Sequence, residues 1–487
     1  MILAVIGHSF QYETENVLRI FFPLEKITVV TGFTSAEDDT VLTVCKHENA
    51  VRKIFCEVKL GGSVQKKEKE LFEGDEKDAE LALAQLLYGI LTSMTGYTPP
   101  WGILTGVRPS KLMRSLTEKE GEESAERYFR NELCVSEEKT ALAMSVAKAE
   151  DKIISLSENN SYSLYVSIPF CPTRCSYCSF VSHSIAQAKK LIPDYVSLLC
   201  RELHDISVIA QNLDLKLETI YFGGGTPTSL CEDDLRAVTD AVAKNFNVSS
   251  VREYTIEAGR PDTLNGEKLK IMKNAGVTRI SINPQTFHAE VLKNIGRSHT
   301  PEQILGAFDE ARSAGFDNIN MDFIAGLPGD TVKGFCESID KAISLAPENI
   351  TVHTLALKRA SGLVTGGETD TVSRDTVKML SYSSEALSAS GYYPYYMDRQ
   401  SKSVGNNENV GWCMHNRECL YNIYMMEEVH TVLAAGGGAV TKLKSPFENR
   451  IERIFNFKYP YEYINRFDEQ SERKKRINEF YEEIDNQ

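Results

Sequence analysis

The sequence predicts an α/β protein: a partial (β/α)6 barrel of the TIM type over 161–390, preceded by an α+β domain over 1–160 of unassigned role and followed by an extension over 391–487 that covers the active site. Three observations predict it. The chain has 487 residues, beyond the size at which single cores stop growing, so more than one domain is expected. From residue 163 onward apolar strand-like runs alternate with amphipathic helical stretches, the pattern of a parallel sheet with helices outside. The motifs that carry chemistry fall directly after strand-like runs, where an α/β barrel keeps its functional residues.

Taken in order, residues 1–60 offer the short β-like runs ILAVIG, ITVV, VLTVCKH and VRKIFCEVKL, which predict a small sheet. KDAELALAQLLYGILTSMTG, 77–96, reads as an apolar helix punctuated by Pro99 and Pro100. After WGILTGVRPSKL come helical patterns around 120–131 and 135–154, then the polar SENNS at 157–161. Arg108 and Lys111 lie where a helix start after Pro109 or a reach toward an anion would both place them. The barrel strands are LYVSIPF (164–170), TIYFGG (219–224), EYTIEA (253–258), RISINP (279–284), NINMDFIAG (318–326) and NITVHTLAL (349–357), with helical stretches between them. The tail carries GYYPYY, GNNENVGW and AAGGGAVTK, and ends in a charged helix expected to be a solvated cap. Tyr392, Tyr393, Tyr395 and Tyr396 read as core packing, or as a lid over the site.

Composition narrows the function classes. No apolar run approaches the roughly 20 residues that span a bilayer, and the N-terminal ILAVIG lacks a basic flank and a cleavage site, so a cytoplasmic protein without a membrane span is expected. A net charge of −14 argues against a general nucleic-acid binder, although not against a local basic pocket. Of eleven cysteines, eight (Cys45, Cys56, Cys134, Cys200, Cys231, Cys336, Cys413 and Cys419) are scattered and read as buried thiols.

The other three stand together. CPTRCSYCSF, 171–180, sets Cys171, Cys175 and Cys178 at CxxxCxxC spacing and Phe180 two positions further on. Thiolates are soft ligands that select zinc, copper(I) or iron–sulfur clusters. A structural zinc ion wants a fourth protein ligand, which His183 can supply, although the usual second CxxC pair is absent. Three thiolates on a 4Fe-4S cluster leave one iron open to a small chelating molecule. GGGTP, 223–227, taken alone, is a tight turn.

YVSIPFCPTRCSYC, YFGGGTPTSL, IEAGRPD, ISINPQTF, IGRSH and MDFIAGLPGDT occur in the order and spacing of one family. Over about 163–360 the chain resembles the oxygen-independent coproporphyrinogen III oxidase branch of the radical S-adenosylmethionine (SAM) superfamily. The N-terminal domain, WGILTGVRPSKL, LALKRAS and AAGGGAV further resemble the HemZ-type coproporphyrinogen dehydrogenases of that branch.

The resemblance implies a radical SAM barrel in which Cys171, Cys175 and Cys178 ligate a 4Fe-4S cluster and SAM chelates the fourth iron. Tyr165 joins them in the implied catalytic set, and Tyr165 and Tyr177 line SAM near the cluster. Gly224, Gly225 and Thr226 are implied to hold its methionyl end through close backbone approach, amides and a hydroxyl. Glu257, Gln285, Arg297, Asp322 and Ala356 complete the implied SAM contacts at successive strand ends; an Arg fork suits a carboxylate, and a carboxylate suits a ribose hydroxyl. The implied chemistry is reductive cleavage of SAM to methionine and a 5′-deoxyadenosyl radical. That radical takes a hydrogen from the β-carbon of a propionate, an electron and carbon dioxide leave, and two such events turn coproporphyrinogen III into protoporphyrinogen IX. Implied partners are the tetrapyrrole, an electron donor such as flavodoxin or ferredoxin, and an electron acceptor that the sequence does not identify. Because the substrate carries four carboxylates, Arg260 after the third strand and Lys358 and Arg359 after the sixth are its candidate anchors, with surface solvation as the plainer reading.

Two positions depart from the HemN-type oxidases, which continue with a fourth cysteine and carry a histidine two residues after the first tyrosine. Phe180 and Ser167 occupy those places, so neither those features nor a second SAM is carried over. HemW-type haem chaperones also lack the fourth cysteine, and CSFVSHS resembles them. Against that branch, EAGRP stands for its usual ENP, and the pair His415 and Asn416 is followed by RECLYN. Under the chaperone reading Cys413 and His415 are candidate haem ligands; another radical SAM reaction on a tetrapyrrole is a third reading.

Overall fold

The computed structural model describes residues 1–23, 25–32, 39–48, 51–72, 76–180, 182–356, 369–400 and 403–485. The chain divides into two compact units, one of residues 1–147, 365–377 and 397–409, the other of residues 148–364, 378–396 and 410–487.

The first unit carries a five-stranded sheet in the order Thr28–Val30, Ile2–Ile6, Thr40–Glu48, Val51–Leu60 and Ser63–Phe72. The edge strand SVQKKEKELF is almost wholly exposed and charged, so no apolar alternation announces it; its lysines and glutamates suit an unpaired edge. Helix Glu76–Thr95 lies where the apolar run predicts one, and Pro109 opens helix Pro109–Glu120 at its first turn. Within this unit the buried Lys139 ammonium lies 2.8 Å from Glu408 Oε1, and Trp101 Nε1 donates to Glu408 Oε2 at 2.6 Å. Arg399 stacks on the same indole and donates to the Leu104 carbonyl at 2.8 Å, so WGIL is a core segment.

In the second unit the six expected runs form six parallel strands: β1 (Ser161–Ile168), β2 (Lys216–Gly224), β3 (Glu253–Glu257), β4 (Arg279–Ser281), β5 (Ile319–Ala325) and β6 (Asn349–Thr354). Outer helices bury one stripe each; Ile192–Asn212 buries Tyr195, Leu199, Leu203, Ile206 and Ala210. Side chains define where the helices start. Thr300 forms a capping box with Gln303, and Asn265 and Thr331 cap the helices that follow them. Among the described residues the sheet has eleven strands, because tail segments join it on both sides. β7 (Glu408–Cys413) runs antiparallel to β6, and β8 (Thr431–Ala435) lies parallel to β1 as a seventh parallel strand. The AAGGG run follows from that position: Gly436 has φ +94°, and a Cβ there would run into the Ser167 carbonyl.

The opposite end of the barrel is closed by residues 417–421. Glu253, which opens β3, accepts the Leu420 and Tyr421 amides at 3.1 and 3.2 Å. Arg279 of β4 and Asn349 of β6 donate to the Arg417 carbonyl at 3.1 and 2.7 Å. Tyr392 donates to the Pro347 carbonyl at 2.6 Å, and Tyr393 hydrogen-bonds Glu418. These tyrosines therefore pack at the N-terminal ends of the strands, away from the cysteines. The lid expectation, and cover of the active site by this part of 391–487, is corrected, because the Tyr392 and Tyr393 hydroxyls find their partners at the barrel floor and Tyr395 and Tyr396 are buried in one core cluster with Cys413 and Cys419. The last helix, Lys475–Asp485, is amphipathic, burying Ile477, Phe480 and Ile484. Among the described residues no helix is long and apolar enough to cross a membrane.

Candidate active site

β1 ends at Ile168, and the chain runs through Phe170–Cys171, a two-residue strand paired with His183–Ser184, into the cysteine loop. The loop is tied down from beneath by IGRSH. Thr173 Oγ1 donates to the Gly296 carbonyl at 2.8 Å and the Ser176 amide to the Ile295 carbonyl at 3.0 Å. Gly296 has φ +77°, and a Cβ on it would come within 3.2 Å of the Arg174 carbonyl, so a larger residue would lift the loop. All three cysteines are free and partly buried. Burial pushes the Cys171 and Cys178 thiols up, and Cys171 Sγ lies 3.4 Å from Thr226 Oγ1. His183 lies edge-on to Tyr459 at 6.0 Å between ring centres, and its Nε2 is buried without a hydrogen-bond partner. Among the described residues no three His, Cys, Asp or Glu side chains gather round a single-ion position.

GGGT supports the same loop. The Gly225 amide donates to the Ile168 carbonyl at 2.8 Å and the Thr226 amide to the Phe170 carbonyl at 2.7 Å. A Cβ on Gly225 would stand 2.6 Å from Phe170 O, and one on Gly224, at φ +102°, 2.8 Å from Ser167 Oγ. These two amides are thus engaged by the cysteine strand, so the expected donation from them to a ligand is corrected. Gly223, which sequence reasoning passed over, leaves room beside Glu257, whose Oε1 would be 3.1 Å from a Cβ there.

Polar groups ring the barrel mouth. Tyr221 donates to Glu257 Oε1 at 2.6 Å, and its ring stacks on Tyr421 at 4.4 Å and Tyr165 at 6.3 Å. Burial, reinforced by the charge of Asp322, pushes the Glu257 carboxyl up to about 7. Asp322 goes the other way: against the effect of burial, His353 at 3.9 Å and Asn320 at 2.7 Å hold it below its ordinary value. Gln285 adopts φ +67° and is fixed to β5 through the Asp322 carbonyl at 2.8 Å. Arg297 Nη1 donates to the Gly259 and Asn283 carbonyls at 3.1 and 2.8 Å, and Nη2 to Tyr177 Oη at 3.2 Å, which joins the β3 and β4 ends to the cysteine loop. Ala356 follows β6 and is half-buried. Lys358 and Arg359 lie outside the described residues. Arg260, expected at a substrate carboxylate, is instead 3% exposed, with its donors directed at Asp262, Thr173 and Ser298.

Tyr221 and His353 are the functional-looking residues that motif reading missed. Tyr221 is in register with Tyr165 across β1 and β2, a signal available only once the pairing is known. The site fits the implied cofactors on two observations. Three soft ligands share one loop, and beside it Arg297 Nε and Asn283 Oδ1 are buried without partners, as expected where a polar ligand completes the set.

The radical SAM superfamily profile matches residues 165–342. The oxygen-independent coproporphyrinogen-III oxidase-like protein HemZ of Bacillus subtilis is 34% identical over 472 residues, covering 94% of each chain. The heme chaperone HemW of the same organism is 41% identical over 197 residues, 40% of this chain and 51% of that one. Among solved structures, the coproporphyrinogen III oxidase HemN of Escherichia coli is 22% identical, with a TM-score of 0.49 over 67% of this chain and 73% of its own.

Proposed function

The chain belongs to the HemZ-like family of the radical SAM superfamily, which uses a 4Fe-4S cluster and SAM, and from that premise we propose that it decarboxylates coproporphyrinogen III oxidatively to protoporphyrinogen IX in haem biosynthesis. The observation that carries this reading is the assembly of three free thiols, a split pair of carboxylates and a half-buried arginine at one end of a polar-lined partial barrel. When bound, the reduced cluster and SAM supply a 5′-deoxyadenosyl radical able to take a hydrogen atom from a substrate propionate. In this reading Cys171, Cys175 and Cys178 hold three irons, and Gly224 and Gly225 act by letting the cysteine strand close against β2. Asp322, ionised at neutral pH, accepts ribose or ammonium hydrogen bonds. Glu257, whose carboxyl burial pushes up to about 7, can accept or donate. Arg297, whose Nε–H is buried without a partner, would donate to the SAM carboxylate, while Gln285, Ala356, Tyr165 and Tyr177 would shape the pocket. Lys358 and Arg359 are retained as proposed substrate anchors, and a flavodoxin or ferredoxin as electron donor.

A heme-chaperone reading draws on the HemW likeness, but that likeness spans 40% of this chain, whereas the HemZ likeness spans both units. Its proposed ligands are poorly placed: Cys413 is fully buried in β7, while His415 is exposed beside Tyr393. Anaerobically reconstituted protein is expected to bind about four irons and to give a reduced-cluster EPR signal altered by SAM, and Cys175→Ala to lose both. Incubation with coproporphyrinogen III, SAM and a reductant should yield a product lighter by two carbon dioxides. SAM cleavage without decarboxylation, together with stoichiometric haem binding, would favour the chaperone.

A further inference from the structure

Arg260 lies beneath the cysteine loop, and each guanidinium nitrogen is engaged. Nε and Nη2 donate to Asp262 Oδ1 and Oδ2 at 3.2 and 3.3 Å. Nη2 also donates to Thr173 Oγ1 at 3.1 Å and Ser298 Oγ at 3.3 Å. Nη1 reaches the Thr173 carbonyl at 3.4 Å and lies 4.0 Å from Cys175 Sγ, the outer limit of an N–H···S contact. Thr173 stands between Cys171 and Cys175, so the cation grips the loop at its middle. Asp262 belongs to the turn Pro261–Thr263 that follows β3, and Ser298 to the segment after Gly296. The buried His299 ring, 3.8 Å from Asp262, backs the carboxylate. Three segments distant in sequence therefore meet on one side chain.

A buried guanidinium is costly unless its donors and charge are matched. Asp262 supplies one match, and sulfur that becomes anionic on binding metal supplies a second. A cation and an N–H beside a cluster sulfur stabilise the more negative, reduced state and so raise the reduction potential. A planar five-donor fork can bind the loop carbonyl, the hydroxyl and the carboxylate together, which an ammonium cannot do with the same geometry.

We infer that Arg260 is a positioning residue of the cluster site: it orders the Cys171–Cys178 loop before metal arrives and sets the potential of the cluster afterwards, rather than binding substrate. The second half rests on the cluster assignment proposed above; the first does not.

The test uses full-length wild type, Arg260→Met, Arg260→Lys and Thr173→Val. In the cluster-free chain, amide hydrogen exchange over 172–178 is expected to quicken about tenfold or more in Arg260→Met and Thr173→Val, while distant segments keep wild-type protection. After anaerobic reconstitution, Arg260→Met should have a lower midpoint potential than wild type. Arg260→Lys should lie between the two, and Thr173→Val, which keeps the charge, should stay near wild type. Wild-type exchange and potential in Arg260→Met, or a change confined to the KM for tetrapyrrole, overturns the inference. If Arg260→Met fails to fold, unchanged exchange in Thr173→Val with an unchanged potential in Arg260→Lys overturns it equally. Wild type that takes up no iron refutes the cluster assignment instead, and the exchange comparison still decides whether Arg260 holds the loop.

Discussion

Glu257 and Asp322 are two carboxyls at one barrel mouth whose surroundings push them in opposite directions. Glu257 loses hydration and feels a neighbouring anion, while Asp322 has His353 and Asn320. The Glu257 shift has a signed consequence for the cluster-free chain. Its folded value near 7 lies above the ordinary value of 4.5, so between those pH values the folded state keeps a proton that the unfolded state has released. This carboxyl's contribution to stability therefore falls as pH rises through that window, by about 3 kcal/mol in total. Glu257→Gln should gain stability relative to wild type on going from pH 5 to pH 8 in urea unfolding, and an equal difference at both pH values would show that Glu257 does not titrate this way. Motif order singled out Glu257, Gln285, Arg297 and Asp322 from the sequence and expected them at strand ends; Asp322 lies in the middle of β5, and Arg297 follows helix Ala289–Asn294. It did not reveal that Tyr221 holds Glu257 or that His353 stands by Asp322, since each pairing joins different strands.

Among elements, the β2 end with its GGGT turn and the cysteine loop behave as one piece, since strand-end amides and carbonyls exchange hydrogen bonds across them. Gly225→Ala sets a Cβ within 2.6 Å of Phe170 O and 2.8 Å of Ile168 O, backbone atoms that cannot rotate aside. A loss of about 2 kcal/mol and reduced iron uptake are expected, read by denaturant unfolding and metal analysis. Gly306→Ala, on the exposed face of helix Pro301–Ser313 with nothing within 4 Å, is the contrasting case and should stabilise by up to about 1 kcal/mol with normal iron uptake. The six barrel strands were legible because alternating strand and helix periodicities are local properties. The edge strand Ser63–Phe72 was not, since both its faces are polar.

Across the barrel unit, chemistry and stability occupy opposite strand ends. Cysteines, carboxylates and Arg297 gather at the C-terminal ends, while Glu253, Arg279 and Asn349 close the N-terminal ends through the backbone of 417–421. Glu253→Ala leaves two amides unpaired at that floor. It should cost about 3 kcal/mol and lower Tm while iron content and the EPR signal stay at wild-type values; loss of the cluster in a folded variant would contradict this separation. By itself the sequence determined the partial barrel and the spacing of the cysteine trio, because hydrophobic period and ligand spacing are written along a short stretch of chain. Only the tertiary structure decided that β8 lies beside β1, that the tail tyrosines pack at the floor and that Arg260 turns to Thr173 and Cys175. Each of those outcomes depends on which distant segment satisfies a buried donor, acceptor or strand edge, and that choice is made by packing rather than by local pattern.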